Sequence, residues 1–150
     1  MFEKPFDNFV CEGETITCEV DGYAVTAKVV RDVDRDIDDD DCHNPDQSVT
    51  GCNAEQQARL LANRKAYNRD EWWYCGIVLS VSRNGIELSD HAASLWGLEA
   101  NYPDPNPLEH GYQSDHTCNS YLRDVANELL PEALEVAKKR RAEMLETLAK

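Results

Sequence analysis

What this chain lacks constrains it first. It has no apolar stretch of about eighteen residues, the minimum for a membrane-spanning helix. Its N-terminus, MFEKPFDNFV, shows no basic start followed by an apolar run, so no signal peptide is expected. There is no C-x-x-C pair, G-x-S-x-G elbow, P-loop, G-x-G-x-x-G or H-E-x-x-H. The familiar signatures of nucleophilic, nucleotide-dependent and zinc-protease chemistry are therefore missing. Bases are scarce as well: 15 Lys and Arg against 29 Asp and Glu leave a formal charge of -14. A surface of that sign opposes nucleic acid and anionic lipid and favours cationic partners.

The charge is uneven. Residues 132–150 carry five bases and four acids, which leaves residues 1–131 with 25 acids and 10 bases. The acidity belongs to the body of the chain. Length (150 residues) and a hydrophobic fraction of 41% fit one domain with its own core. Six cysteines, Cys11, Cys18, Cys42, Cys52, Cys75 and Cys118, are read as reduced thiols of a cytoplasmic protein, small residues that are buried or half-buried.

The elements follow from periodicity. In TITCEV-DG-YAVTAKVV, apolar and polar residues alternate on both sides of Asp21-Gly22, a pair suited to a two-residue hairpin turn. WWYCGIVLSVS (residues 72–82) reads as a central strand, followed by a second hairpin turn at Asn84-Gly85. HAASLWGLEA (91–100) continues the sheet, with Trp96 expected to pack inward. Asn53 with Gln56 makes a capping box for a short surface helix, on which Ala58, Leu61 and Ala62 share a face with Ala66 or Tyr67. From Asn119 onwards Leu122, Val125, Ala126, Leu129 and Leu130 recur at helical spacing. Pro131 is expected to kink this helix or start a second one. The expected fold is α+β: an antiparallel sheet of four or five strands, a C-terminal helix across one face and a shorter helix in mid-chain. A mobile acidic loop is expected near 34–52, and the C-terminal helix 132–150 can protrude.

The densest chemistry lies in RDVDRDIDDDD, residues 31–41, with Asp32, Asp34, Asp36, Asp38, Asp39, Asp40 and Asp41. An EF-hand reading begun at Asp34 fails, because Asp39 stands where glycine is needed and Pro45 where a bidentate glutamate belongs. Zinc ligands are available as Cys42, His43 and Cys52, or as His116 and Cys118, without the paired spacing of structural sites. Asp90-His91 and Glu109-His110 are adjacent acid–base pairs of a kind that arises by chance. Lys138, Lys139, Arg140 and Arg141 spread around a helix and make no basic stripe. If residues 32–38 were extended, Asp32, Asp34, Asp36 and Asp38 would project to one side about 6.5 to 7 Å apart, much as backbone phosphates do. A groove of lysine and arginine would accept such a row.

The order GYAVTAKVVRD, WWYCGIVLSVSRNGIELSDHAASLWGLEANYP and YLRDVANELLPEAL, about half of the chain, resembles small uncharacterised acidic proteins encoded by bacteriophages, prophages and plasmids of Gram-negative bacteria. The resemblance implies a role against host defence, as a DNA mimic or an inhibitor of CRISPR surveillance complexes or restriction enzymes, machines that hold nucleic acid in cationic channels. The reading is a non-enzymatic inhibitor without cofactor in the host cytoplasm. It would bind a basic nucleic-acid-binding protein or ribonucleoprotein through Asp32 to Asp41, with no direct contact to nucleic acid or membrane. Two alternatives stand beside it. One is a calcium- or zinc-binding enzyme or regulator built on the same aspartates. The other is a homodimeric phage accessory protein joined through Leu134, Ala137, Met144, Leu145 and Leu148.

Overall fold

The structure, a computed structural model, describes residues 1–40, 43–44, 51, 53–103 and 119–150. Both expected hairpins form. Strand β1 (Thr15–Val20) turns through Asp21 and Gly22, at φ 53° and 81°, into β2 (Tyr23–Arg31). Strand β3 (Trp73–Arg83) turns through Asn84 and Gly85, at φ 52° and 77°, into β4 (Ile86–Ala100). Both turns have two positive φ angles, the conformation whose twist matches that of paired strands. The sheet is four-stranded and antiparallel, in the order β1-β2-β3-β4. Helix α1 (Ala54–Asn68) joins its halves, and α2 (Ser120–Ala149) follows.

The period of two decides which face of the sheet is covered. Val25, Ala27 and Val29 of β2 point with Trp73, Cys75, Ile77, Leu79 and Val81 of β3 into one core. Leu122, Val125, Ala126, Leu130, Ala133 and Ala137 of α2 close that core. Alanine at three of these positions lets the helix axis come near the strands. The helix runs through Pro131 as one element and not two. The proline is exposed, so it displaces nothing from the core. Beyond Ala137 only Met144 is partly packed. Among the described residues no helix is long and apolar enough to cross a membrane.

The N-terminal arm is a core element that periodicity does not reveal. Phe2, Phe6 and Val10 are buried in the main core. Asn127 of α2 holds the arm by a two-way clasp: its Oδ1 accepts from the Phe2 amide at 2.7 Å and its Nδ2 donates to the Phe2 carbonyl at 3.1 Å.

Strand β4 departs from regular pairing, and this positions the candidate site. Cys75 pairs with Leu98 and Ile77 with Leu95, so β4 carries one residue more than β3 across that interval. Gly97, at φ 75°, absorbs the bulge. The expectation that Trp96 packs inward is overturned here. The bulge changes the alternation, and the indole lies across Gly76 on the face opposite α2, 42% exposed. A Cβ on Gly76 would sit 2.3 Å from Trp96 Cε3, so any side chain here must displace the indole.

Candidate functional site

The acidic segment leaves the sheet at the end of β2 and does not continue as a strand. The Asp32 amide donates to the Tyr74 carbonyl at 3.0 Å, and the chain then turns. Asp32 Oδ1 accepts from the Asp34 amide at 3.2 Å and Oδ2 from the Gly97 amide, in the bulge, at 3.0 Å. Asp36 Oδ1 accepts from the Asp38 amide at 3.0 Å and caps a 3-10 turn, Ile37–Asp39. The single-sided row of Asp32, Asp34, Asp36 and Asp38 is thus replaced by turns. Aspartate side chains bond readily to nearby backbone amides, and burial of Ile37 pulls the chain inward between exposed neighbours.

The aspartates have different roles as a result. Asp34, Asp36, Asp38 and Asp39 are exposed, Asp32 is half-buried and Asp40 is buried. Asp38 pairs with Arg64 of α1. Asp41 lies outside the described residues, as do Cys42, Cys52, Glu109, His110, His116, Cys118 and residues 45–50 of the expected mobile loop.

Ile37 belongs to a second, smaller core on the face opposite α2. Trp72, Tyr74 and Ile37 are its buried members, with Ala66, Tyr67 and Tyr102 packed against them. Trp72 contacts Tyr102, Tyr74 and Tyr67 at ring-centroid distances of 4.9, 5.3 and 5.0 Å, tilted or edge-on, as aromatic quadrupoles prefer. Both Trp72 and Trp73 are buried, each in a different core, so neither is an exposed contact residue. Helix α1 has the expected capping box, but the face it turns inward carries Asn63, Ala66 and Tyr67. Ala58, Leu61 and Ala62 face solvent. The inward polar residue is used at both ends: the Asn63 carbonyl accepts from Trp72 Nε1 at 2.8 Å and its Nδ2 donates to Tyr102 Oη at 2.8 Å.

Against this aromatic wall sits a charged cluster. His43 is buried, with Nδ1 2.9 Å from Asp40 Oδ2 and Nε2 3.0 Å from Tyr102 Oη. An ionised carboxylate only accepts, so Nδ1 donates to Asp40, and in the neutral imidazole Nε2 then accepts from the Tyr102 hydroxyl. Tyr74 Oη also donates to Asp40 Oδ2, at 3.0 Å, and Arg35 approaches the same oxygen at 3.4 Å. Glu99 of β4 completes the group, with Oε1 3.7 Å from His43 Nε2. Ligand atoms of Asp40, His43 and Glu99 all lie within 4.8 Å of one another.

Burial holds the Glu99 carboxyl above the usual carboxylate range, and the Asp40 charge adds to this, although Arg35, and His43 when its ring is protonated, pull the other way. The Tyr102 phenol is pushed up to about 12 by burial and then by Glu99. Burial and the hydrogen bond to Asp40 push Tyr74 higher still.

His43 was legible as a possible ligand, but the structure brings it to Asp40 and Glu99. Glu99, Tyr102, Tyr74 and Asn63 carried no motif. The WWY run and Tyr102 signalled aromatic density and nothing about charge. Asp90 and His91 lie at a second irregularity of β4, both exposed, and His91 Nε2 is 2.8 Å from Ser94 Oγ. Lys138 and Arg140 pair along the helix with Glu135 (3.2 Å) and Glu143 (3.6 Å), as a solvated helix does.

Fold and site together define a small acidic α+β protein whose aspartate segment is folded onto an aromatic cluster. No protein-family profile matches the chain, and comparison with curated proteins and solved structures returns no match.

Proposed function

We propose that the protein is a non-enzymatic inhibitor that occupies the cationic nucleic-acid-binding site of a host nucleoprotein, such as a CRISPR surveillance complex or a restriction enzyme. The observation that carries this reading is the anchoring of the acidic segment. Asp32 is tied to Gly97, Ile37 is buried, and Asp40 is buried against His43. Between these anchors Asp34, Asp36, Asp38 and Asp39 stand exposed. Four carboxylates held on a fixed turn lose little conformational entropy on docking, and a cationic groove is steered towards them over a Debye length of about 8 to 10 Å.

The test is competition. Labelled nucleic acid bound to a purified surveillance complex or restriction enzyme is titrated with the protein, and displacement is followed by fluorescence anisotropy at low and high salt. The native protein displaces the nucleic acid in a salt-dependent way, and Asp34→Lys/Asp36→Lys/Asp38→Lys does not. A control of equal charge change, Glu128→Lys/Glu132→Lys/Glu135→Lys on α2, keeps most of the activity. Equal competition by the two triple variants removes the acidic segment from the mechanism.

A second reading, self-association through the end of α2, is supported by a cleft of ≈ 240 Å³ between that helix and the β3–β4 turn. Ile86, Leu145 and Leu148 border it and are exposed. Truncation after Leu130 is a poor test, because it removes Ala133 and Ala137 from the core. Sedimentation of Leu145→Asp/Leu148→Asp separates the cases: a dimer that becomes monomeric places the interface here, and an unchanged mass excludes it.

A further inference from the structure

We propose that His43, Glu99 and Tyr102, with Asp40 behind the imidazole, form a binding site for a divalent transition-metal ion of the zinc class. The site does not depend on what the acidic segment binds.

The geometry of the imidazole is the first argument. Asp40 Oδ2 accepts the hydrogen bond of Nδ1–H at 2.9 Å, which fixes the ring and turns the Nε2 lone pair of the neutral imidazole towards Tyr102 and Glu99. Histidines that ligate metals are oriented in this way, with a carboxylate on the far nitrogen that fixes the tautomer and raises ligand basicity. Asp40 is itself secured by Tyr74 at 3.0 Å and approached by Arg35 at 3.4 Å. The carboxylate behind the ring is therefore compensated, and Glu99 is the anion on the ligand side.

Spacing is the second argument. Ligand atoms about 2.0 to 2.1 Å from a tetrahedral ion stand roughly 3.3 Å from one another. From His43 Nε2 the structure shows 3.0 Å to Tyr102 Oη and 3.7 Å to Glu99 Oε1. The latter is longer than a hydrogen bond but suits two ligands of one ion. Asn63 Nδ2 donates to the Tyr102 oxygen at 2.8 Å and holds it in place, so an ion seated between Oη and Nε2 would have to displace the phenol proton.

The donors choose the ion. One imidazole nitrogen with carboxylate and phenol oxygens suits zinc, cobalt or manganese, whereas calcium takes six to eight oxygens. Trp72 and Tyr74 wall the site, and a bound ion would link the residues after the acidic segment to β4.

The experiment uses the full chain, stripped with chelator and titrated with Co2+ and Zn2+. One Co2+ per chain is expected, with visible absorption of nitrogen and oxygen ligation and no thiolate charge-transfer band. Zn2+ is expected to raise Tm. His43→Gln and Glu99→Gln should lose both effects, and Asp40→Asn should lower affinity about 10- to 100-fold. His91→Gln and Cys11→Ser should bind as the native chain does. No stoichiometric uptake by the native chain overturns the site, as does uptake that survives Glu99→Gln or a thiolate band. Because Glu99 is half-buried and its variant keeps the shape, the decision stands even where His43→Gln fails to fold.

Discussion

Asn101 and Asn119 hold each other across the two ends of the segment that joins β4 to α2. Asn119 Oδ1 accepts from the Asn101 amide at 2.7 Å, and Asn119 Nδ2 donates to Asn101 Oδ1 at 2.8 Å. Asn101 also clasps Val10, accepting from its amide at 2.8 Å and donating to its carbonyl at 2.9 Å, while Asn119 donates to the Asn8 carbonyl at 2.9 Å. Asn119 stands at the N-cap of α2 without making a side-chain cap bond, because its amide is used in this knot. Arm, sheet end and helix start therefore meet in one polar junction.

Asn119→Ala should destabilise the fold by about 2 to 4 kcal/mol, since a fully buried amide is lost and the groups it satisfied are left without it. Urea unfolding measures this. A loss below about 0.5 kcal/mol would mean that the junction does not hold the three elements together.

Gly76→Ala should displace the Trp96 indole, because the added carbon meets the ring and not the end of a flexible chain. The expected loss is about 1 to 3 kcal/mol, the usual range for overpacking. In a Trp96→Ala background the same change should have a much smaller effect. Equal losses in the two backgrounds would show that strain at Gly76 has another source.

Phe2→Ala should be destabilising by about 3 to 5 kcal/mol, as for a buried aromatic side chain anywhere in a core. Thermal unfolding of the full chain checks it. A variant with native Tm would mean that the arm is dispensable.

Cys75 should resist alkylation in the folded protein at pH 8 while Cys11 reacts, with peptide mapping by mass spectrometry as the readout. Cys11 is exposed; Cys75 is buried, and burial, with the charges of Asp32 and Glu99, pushes its thiol up to about 12. The sign for stability follows. A folded-state pKa above the unfolded one favours the fold fully below the ordinary thiol range of about 8.5, and that contribution is lost as pH rises towards 12. Cys75→Ala should flatten the alkaline part of the stability profile. Rapid labelling of Cys75 at pH 8 would contradict the buried placement.

Most of the scaffold was legible because its signals are local. Asp21-Gly22, Asn84-Gly85 and the Asn53–Gln56 box each depend on a few neighbouring residues, and all three form as expected. Errors arose where distant residues decide. Trp96 faces outward because the bulge at Gly97 shifts the alternation. The charged cluster was nearly invisible for the same reason. Asp40, His43 and Glu99 come together only after α1 and the hairpin have placed the acidic segment beside β4. The one-sided row of aspartates required an extended chain, and capping bonds with the burial of Ile37 make turns instead.

The adjacent indoles of Trp72 and Trp73 give the molecule a pair of optical reporters one peptide bond apart, each looking into a different interior. With Trp72 or Trp73 replaced by phenylalanine in turn, and Trp96 replaced in both cases, fluorescence reads one layer at a time during unfolding. The aromatic layer beneath the acidic segment is the smaller, and it can thereby be watched loosening ahead of the main core or together with it.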